Sequence, residues 1–343
     1  MEILLYTIVF LLLLVVSNVT NRLLPQLPLP LVQIVLGISL GFLLPQGKFH
    51  LDTELFLALV IGPLLFREAE ESNITSILKH WRIILYLIFP VIFISTLGLG
   101  YLAHLLWAAL PLAACIAVGA ALGPTDLVAF ASLSERFSFP KRVENILKGE
   151  GLLNDASGLV AFRVALLAWT TGSFSLGKAS ISLVLSIIGG FAVGMASAAL
   201  NRWLHKLLMS AQVSDIASEL LLELSLPLVT FFLAEEIHVS GIIAVVVAGI
   251  FKASRFKRIT LLEAQVDSVT ETIWNTVNFM LNGSVFIILG IELEMIAEPI
   301  LKSPIYDNLL LLVSIVLLTF LLFALRFVML FTFYFIRIRR LHK

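Results

Sequence analysis

The sequence predicts an all-α, polytopic membrane protein with about eleven transmembrane helices. Three observations carry that prediction. The 343-residue chain is 59% hydrophobic and 13% charged, with a mean hydropathy of +1.04, whereas a soluble domain is about a quarter charged. Its apolar residues gather into runs near the length that crosses a bilayer as helix. Lysine and arginine segregate to one side of the map drawn from those runs, as the positive-inside rule requires. The formal net charge is zero, so the chain lacks the basic footprint of a nucleic-acid binder and its partner is the lipid bilayer. The single cysteine, Cys115, falls in an apolar run and reads as a small buried hydrophobe.

Taken in order, the candidate spans cover residues 3–19, 28–45, 53–67, 82–106, 110–133, 145–169, 179–205, 216–235, 238–253, 273–296 and 306–336. The first follows Glu2 in place of a basic leader and precedes no small-x-small cleavage site, so it reads as a retained span. With the N-terminus outside, the inside loops hold 18 of the 23 Lys and Arg residues, the outside loops hold Lys48, Lys178 and Lys302, and Arg163 and Arg326 fall within spans. A missed or extra span would scramble this alternation from that point onward. The C-terminus is therefore expected in the cytoplasm. The largest inside loops, about 68–81, 134–144 and 252–272, leave no room for a soluble domain. Gly37 with Gly41 and Gly190 with Gly194 form small-xxx-small pairs, read as internal packing.

The organising stretch is Lys148-Gly-Glu-Gly-Leu-Leu-Asn-Asp-Ala-Ser157, which opens the sixth span. Ionisable groups inside a span cost at least ~2.5–3.5 kcal/mol each on insertion scales, so Glu150 and Asp155 are functional candidates. On a helix Glu150 and Asn154 share a face, and Asp155 lies ~100° further round. Two carboxylates and an amide make a hard-oxygen site, suited to a proton or a small cation. The fifth span carries Gly123-Pro124-Thr125-Asp126, where proline breaks the helical ladder. Unwound backbone at membrane depth is tolerated where it is buried in protein or lines a cavity, and broken helices beside carboxylates mark ion sites. Arg326 is flanked by long apolar runs and needs an acidic partner, for which Glu150 is the choice. That pairing leaves Asp155 as the exchangeable carboxylate.

Arg163 lies two turns beyond Asp155 and reads either as lining the same path or as snorkelling. Glu68, Glu70, Glu71 and Asn73 follow the third span, as an acidic funnel for cations or as a solvated loop start. Glu235, Glu236 and His238 cap a tight outside turn; His238 and His205 titrate in a range suited to pH sensing.

These residues, in this order, resemble the monovalent cation:proton antiporter family, in its bacterial NhaP-type sodium/proton exchanger branch. The resemblance rests on Gly-Pro-Thr125-Asp126, Gly-Glu150-x-x-x-Asn154-Asp155-Ala-Ser-Gly, His238-Val-Ser-Gly-Ile-Ile-Ala-Val-Val-Val-Ala-Gly249, Asn282-Gly-x-Val-Phe-x-x-Leu-Gly290 and Arg326, and it covers nearly the whole chain. It implies an antiporter fold of thirteen spans. A core domain with crossed, broken helices, here residues 82–169 and 306–343, would move against a scaffold and dimerisation domain, here 1–81 and 179–300. Residues 1–343 are then expected to form an exchanger transmembrane domain about two spans short of the family fold.

The resemblance further implies that Asp155 binds cation and proton by turns, assisted by Asp126 and the backbone at Thr125. Asn154 marks the electroneutral branch, and Glu150 pairs with Arg326. The metal would be Na⁺ held transiently by Asp155 and Asp126, as substrate; no cofactor is expected. A homodimer in the plasma membrane is implied. Gly151 replaces a serine that helps hold the ion in some members, and Leu127 follows Thr-Asp where many have Pro or Ala.

Two other readings compete. An intramembrane aspartyl protease would need Gly-x-Gly-Asp, but Leu152-Leu153-Asn154 precede Asp155, so no enzyme is expected. A truncated antiporter remnant or assembly partner would insert without transporting.

Overall fold

The computed structural model describes residues 2–43, 52–72, 79, 82–125, 139–171, 176–211, 215–253, 261–302 and 308–341. All regular structure among them is helical. In chain order the elements are α1 (Glu2–Leu23), α2 (Leu29–Leu43), α3 (Thr53–Phe56), a π-helical turn at Leu57–Ile61, and α4 (Gly62–Glu71). A second π-helical turn at Leu87–Val91 runs into α5 (Ile92–Leu106), followed by α6 (Leu112–Leu122) and α7 (Lys141–Thr171). The remainder is α8 (Leu176–Ser210), α9 (Ile216–Glu236), α10 (Gly241–Ala253), α11 (Leu261–Lys302) and α12 (Asn308–Leu341).

Local chemistry accounts for several boundaries. Asp52 caps α3 by accepting from the Glu54 and Leu55 amides, and Asp215 caps α9 through the Ser218 amide. The π turns sit at prolines: Pro63 follows the first, and Pro90 lies inside the second. A proline removes one amide from the ladder, and a widened turn absorbs the mismatch. Helix α6 stops at Gly123, directly before Pro124. Between α9 and α10, His238 adopts φ 60, and the Glu235 carboxylate accepts from the Gly241 amide at 3.2 Å.

Among the described residues, four helical segments are long and apolar enough to cross a membrane by length and composition: Leu185–Ser210, Ile216–Glu236, Ser268–Ala297 and Asn308–Thr332. Six further apolar helical segments among the described residues are 10–17 residues long.

The chain divides into two compact units. The first comprises Met1–Ser72, Val128–Ser138 and Ser186–Ser303; the second comprises Asn73–Leu127, Phe139–Leu185 and Pro304–Lys343. In the first, α2 packs along α11 and α10 along α4. Gly37 and Gly290 make the α2–α11 contact close: a Cβ at Gly37 would stand 3.0 Å from the Gly290 Cα. Gly190 and Gly194 lie against α10 in the same manner, so both small-residue stripes serve packing inside this unit. Leu14, Ile287 and Ile291 form its apolar centre. In the second unit α6 packs on both α5 and α7, and α12 on α5. Cys115 is fully buried there with Leu99, Ala103 and Leu318, as a small hydrophobe.

Candidate functional site

The site lies in the second unit, where the end of α6 meets the middle of α7. The sequence Gly123-Pro124 ends α6 because Pro124 has no amide to continue the ladder. Thr125 follows as non-helical backbone and turns its side chain to α7. The long helix α7 presents Glu150 and Asn154 one turn apart, 3% and 0% exposed. The Asn154 amide donates to the Thr125 hydroxyl at 3.0 Å and to Glu150 Oε1 at 3.4 Å, and the Thr125 hydroxyl donates to Glu150 Oε1 at 3.2 Å.

Arg326, from α12, closes the group. Its Nη2 donates to the Gly123 carbonyl at 2.5 Å and stands 3.9 Å from Glu150 Oε1. The guanidinium thus sits at the C-terminal end of α6, where free carbonyls concentrate negative potential. It meets Glu150 at the outer limit of an ion pair. Glu150 therefore receives its short contacts from two neutral donors and its charge compensation from a looser cation. Two neutral donors and a cation at that range offset only part of the cost of burying a carboxylate.

Sequence reasoning named nine candidates. The structure brings Thr125, Glu150, Asn154 and Arg326 together. Asp155 is the next residue along α7, but its side chain lies outside the described residues, as does the whole of Asp126. Arg163 is exposed on α7, two turns beyond Asp155. Glu68 and Glu71 belong to the first unit. There Arg67 pairs with Glu71 at 2.7 Å and with Glu70 at 3.0 Å, and Lys252 bridges Glu70 at 3.0 Å and Glu223 at 2.6 Å. Trp274, 1% exposed, donates its indole N–H to Glu223 at 3.2 Å. His205 pairs with Glu219 beside a cavity of about 50 Å³, lined also by Asn201, Arg202 and Lys252.

Gly158, the last residue of the Glu150–Asn154–Asp155 motif, has a packing role that the sequence reading does not assign. Gly158 is buried on α7, and a Cβ there would collide with Pro124 Cγ and stand 3.5 Å from the Ala120 carbonyl. The absence of a side chain lets α7 touch the break. The signal was available: positions 150, 154 and 158 recur every four residues and form one stripe of the helix.

Comparison with known proteins bears on this geometry. The family model described as "Sodium/hydrogen exchanger, transmembrane" matches residues 7–341. A Bacillus subtilis (strain 168) protein named "Sodium, potassium, lithium and rubidium/H(+) antiporter" is 38% identical over 328 residues, which is 95% of this chain and 49% of that protein. An Escherichia coli (strain K12) protein described as an uncharacterized Na(+)/H(+) exchanger is 34% identical over 314 residues, 90% of this chain and 56% of that one. The chain spans about half the length of the curated relatives it matches. Among solved structures, the sodium proton antiporter MjNhaP1 from Methanocaldococcus jannaschii superimposes with a TM-score of 0.69 over 93% of this chain and 77% of that chain. At 19% sequence identity this likeness establishes the fold. Fold, motif order and family match converge, and the chain belongs to the sodium/hydrogen exchanger family of multi-pass membrane proteins.

Proposed function

We propose that this protein exchanges Na⁺, or Li⁺ or K⁺, for H⁺ across the cell membrane. The observation that carries the reading is the buried Thr125–Glu150–Asn154–Arg326 group at a helix break, next in sequence to Asp126 and Asp155, in a chain of this family. Names of the relatives support a monovalent cation as substrate.

The mechanism follows from competition. A cation or a proton neutralises Asp155, and the neutralised site crosses the low-dielectric barrier where a bare carboxylate does not. Asp126 and the backbone at Thr125 assist in holding the cation. Asn154 contributes an amide and no second charge, so one carboxylate exchanges one Na⁺ for one H⁺ and transport is electroneutral. Glu150 and Arg326 remain paired and hold the break in register. Glu68, Glu71 and Arg163 belong to the ion pathway on the strength of their charge and place in the chain.

The same reading takes the second unit as the moving core and the first as scaffold and dimer contact. It counts eleven spans here, with the N-terminus outside and the C-terminus in the cytoplasm of a plasma-membrane homodimer. The Lys and Arg distribution supports that orientation.

Sodium-driven pH change in reconstituted vesicles tests the proposal, with Asp155→Asn beside the native chain. A sodium-dependent signal that disappears in the mutant is expected; retained exchange in the mutant would remove Asp155 from its role. The second reading is a non-transporting member of the family or an assembly partner. It predicts insertion with no ion-dependent signal from the native chain.

A further inference from the structure

Arg326 reaches the site from a helix with little support. Among the placed side chains of α12, Ser314 and Leu318 alone are buried. The guanidinium makes one short bond, to the Gly123 carbonyl at 2.5 Å, and stands 3.9 Å from Glu150 Oε1. Its Nε is buried with no hydrogen-bond partner among the described residues. A long side chain held at one end in this way follows its backbone. The distance from Arg326 to Glu150 therefore depends on the register of α12.

The seat of α12 is a narrow stripe. Leu318, Leu322, Leu325 and Met329 recur at intervals of four, three and four residues, so they share one face of the helix. Leu318 and Leu322 pack with Leu99, Ala103 and Cys115. Leu325 lies against Gly98, where a Cβ would stand 2.8 Å from Leu325 Cδ1. Apolar contacts are non-directional, so they tolerate a small roll or slide of the helix. Tyr86 supplies a direction. Its hydroxyl donates to the Met329 carbonyl at 3.1 Å, three residues beyond Arg326. The Thr332 hydroxyl donates to the same carbonyl at 2.9 Å. A mid-helix carbonyl that serves added donors tilts out of the ladder. Tyr86 directly precedes the π turn at Leu87–Val91, which contains Pro90, and α12 packs on that turn. Widened turns of this kind recur at functional sites.

We propose that Tyr86 is a positioning residue for ion exchange. Its hydroxyl fixes the register of α12, and with it the reach of Arg326 to Gly123 and Glu150. The inference rests on the exchange reading above. Leu325 in the Gly98 slot and Tyr86 at Met329 bracket Arg326 along the helix, the first by shape and the second by a directed bond. Without the hydroxyl, α12 shifts on its apolar stripe and Arg326 moves relative to the break. Thr125 and Glu150 are then held less well, which weakens cation binding more than turnover.

Tyr86→Phe in the full chain keeps the ring and removes the hydroxyl. In vesicles it is expected to raise the apparent KM for Na⁺ about fivefold, the scale of one lost hydrogen bond, with Vmax within about twofold. An unchanged KM, or a loss confined to Vmax, would overturn the inference. Hydrogen–deuterium exchange gives a readout without transport. A purely local role would loosen residues 326–333 alone. The positioning role also predicts faster deuterium uptake at residues 119–123, which Tyr86 reaches through Arg326. In a Glu150→Gln, Arg326→Met background that link is gone, and Tyr86→Phe should leave residues 119–123 as they are. Unchanged uptake there in Tyr86→Phe, or the same acceleration with and without Arg326, would overturn the inference. A native chain with no sodium signal removes the exchange reading alone, and deuterium uptake at the break then decides the role of Tyr86.

Discussion

The two units each hold a group of mostly buried charged residues, and they do so differently. In the first unit the ion pairs of Arg67 with Glu70 and Glu71, and of Lys252 with Glu70 and Glu223, close at 2.6–3.0 Å. Aromatic faces complete it, with Lys252 5.6 Å from the Phe66 centroid and Arg67 5.8 Å from that of Trp274. In the second unit the charges of Arg326 and Glu150 stand 3.9 Å apart, and the short contacts go to neutral groups, Gly123, Thr125 and Asn154. A tight network of opposite charges has one arrangement and acts as a lock. A carboxylate held by neutral donors beside a looser cation can change partners without stranding a charge, which suits a site whose neighbour must lose and regain a proton.

The largest expected effect comes from breaking the looser group. Arg326→Met strands Glu150 and uncaps the Gly123 carbonyl, and removing one member of a buried pair costs roughly 3–5 kcal/mol. Yield and thermal midpoint in detergent should fall sharply, and Glu150→Gln with Arg326→Met should recover much of the loss. A double variant as unstable as the single would show that Arg326 acts mainly through Gly123. Gly158→Ala comes next: its methyl meets Pro124 Cγ, and overpacking costs about 1–3 kcal/mol. Because the clash falls on the break, exchange should decline together with stability; normal transport would separate the break from the site.

Lys252→Met sharpens the contrast. It leaves Glu70 with Arg67 alone and Glu223 with Trp274, at about 1–3 kcal/mol for charged groups losing partners. The thermal midpoint should drop while the apparent KM for Na⁺ stays unchanged, because Lys252, Glu70 and Glu223 are not among the residues proposed for the ion pathway. A shifted KM would extend the pathway from Glu68 and Glu71 to the rest of this network. The smallest effect belongs to Asp215. The bonds it accepts from Ser218 hold its carboxyl below the usual range. A depressed folded-state value contributes stability that is present above the unfolded value of about 3.9 and is lost as pH falls through the folded one. Asp215→Ala should flatten the low-pH part of the stability profile and leave neutral-pH exchange intact.

Part of the site was legible in the sequence for physical reasons. Glu150, Asn154 and Gly158 are four residues apart, so helix geometry alone puts them on one stripe. Gly123-Pro124 announces a break because proline carries no amide. Arg67 lies three and four residues before Glu70 and Glu71, the spacing of intrahelical pairs. Other contacts could not be read this way. Lys252 meets Glu70 and Glu223, and Arg326 meets Gly123, across long separations fixed by which helices pack together.

The sequence by itself determined the all-helical class, the segregation of positive charge, the position of the break and the family to which the motifs point, since these depend on composition and on neighbours a turn away. Tertiary structure decided which ion pairs close tightly and which stay loose, and that the glycine stripes pack inside one unit. Those outcomes depend on the approach of helices to within van der Waals contact, and no local pattern along the chain encodes that distance.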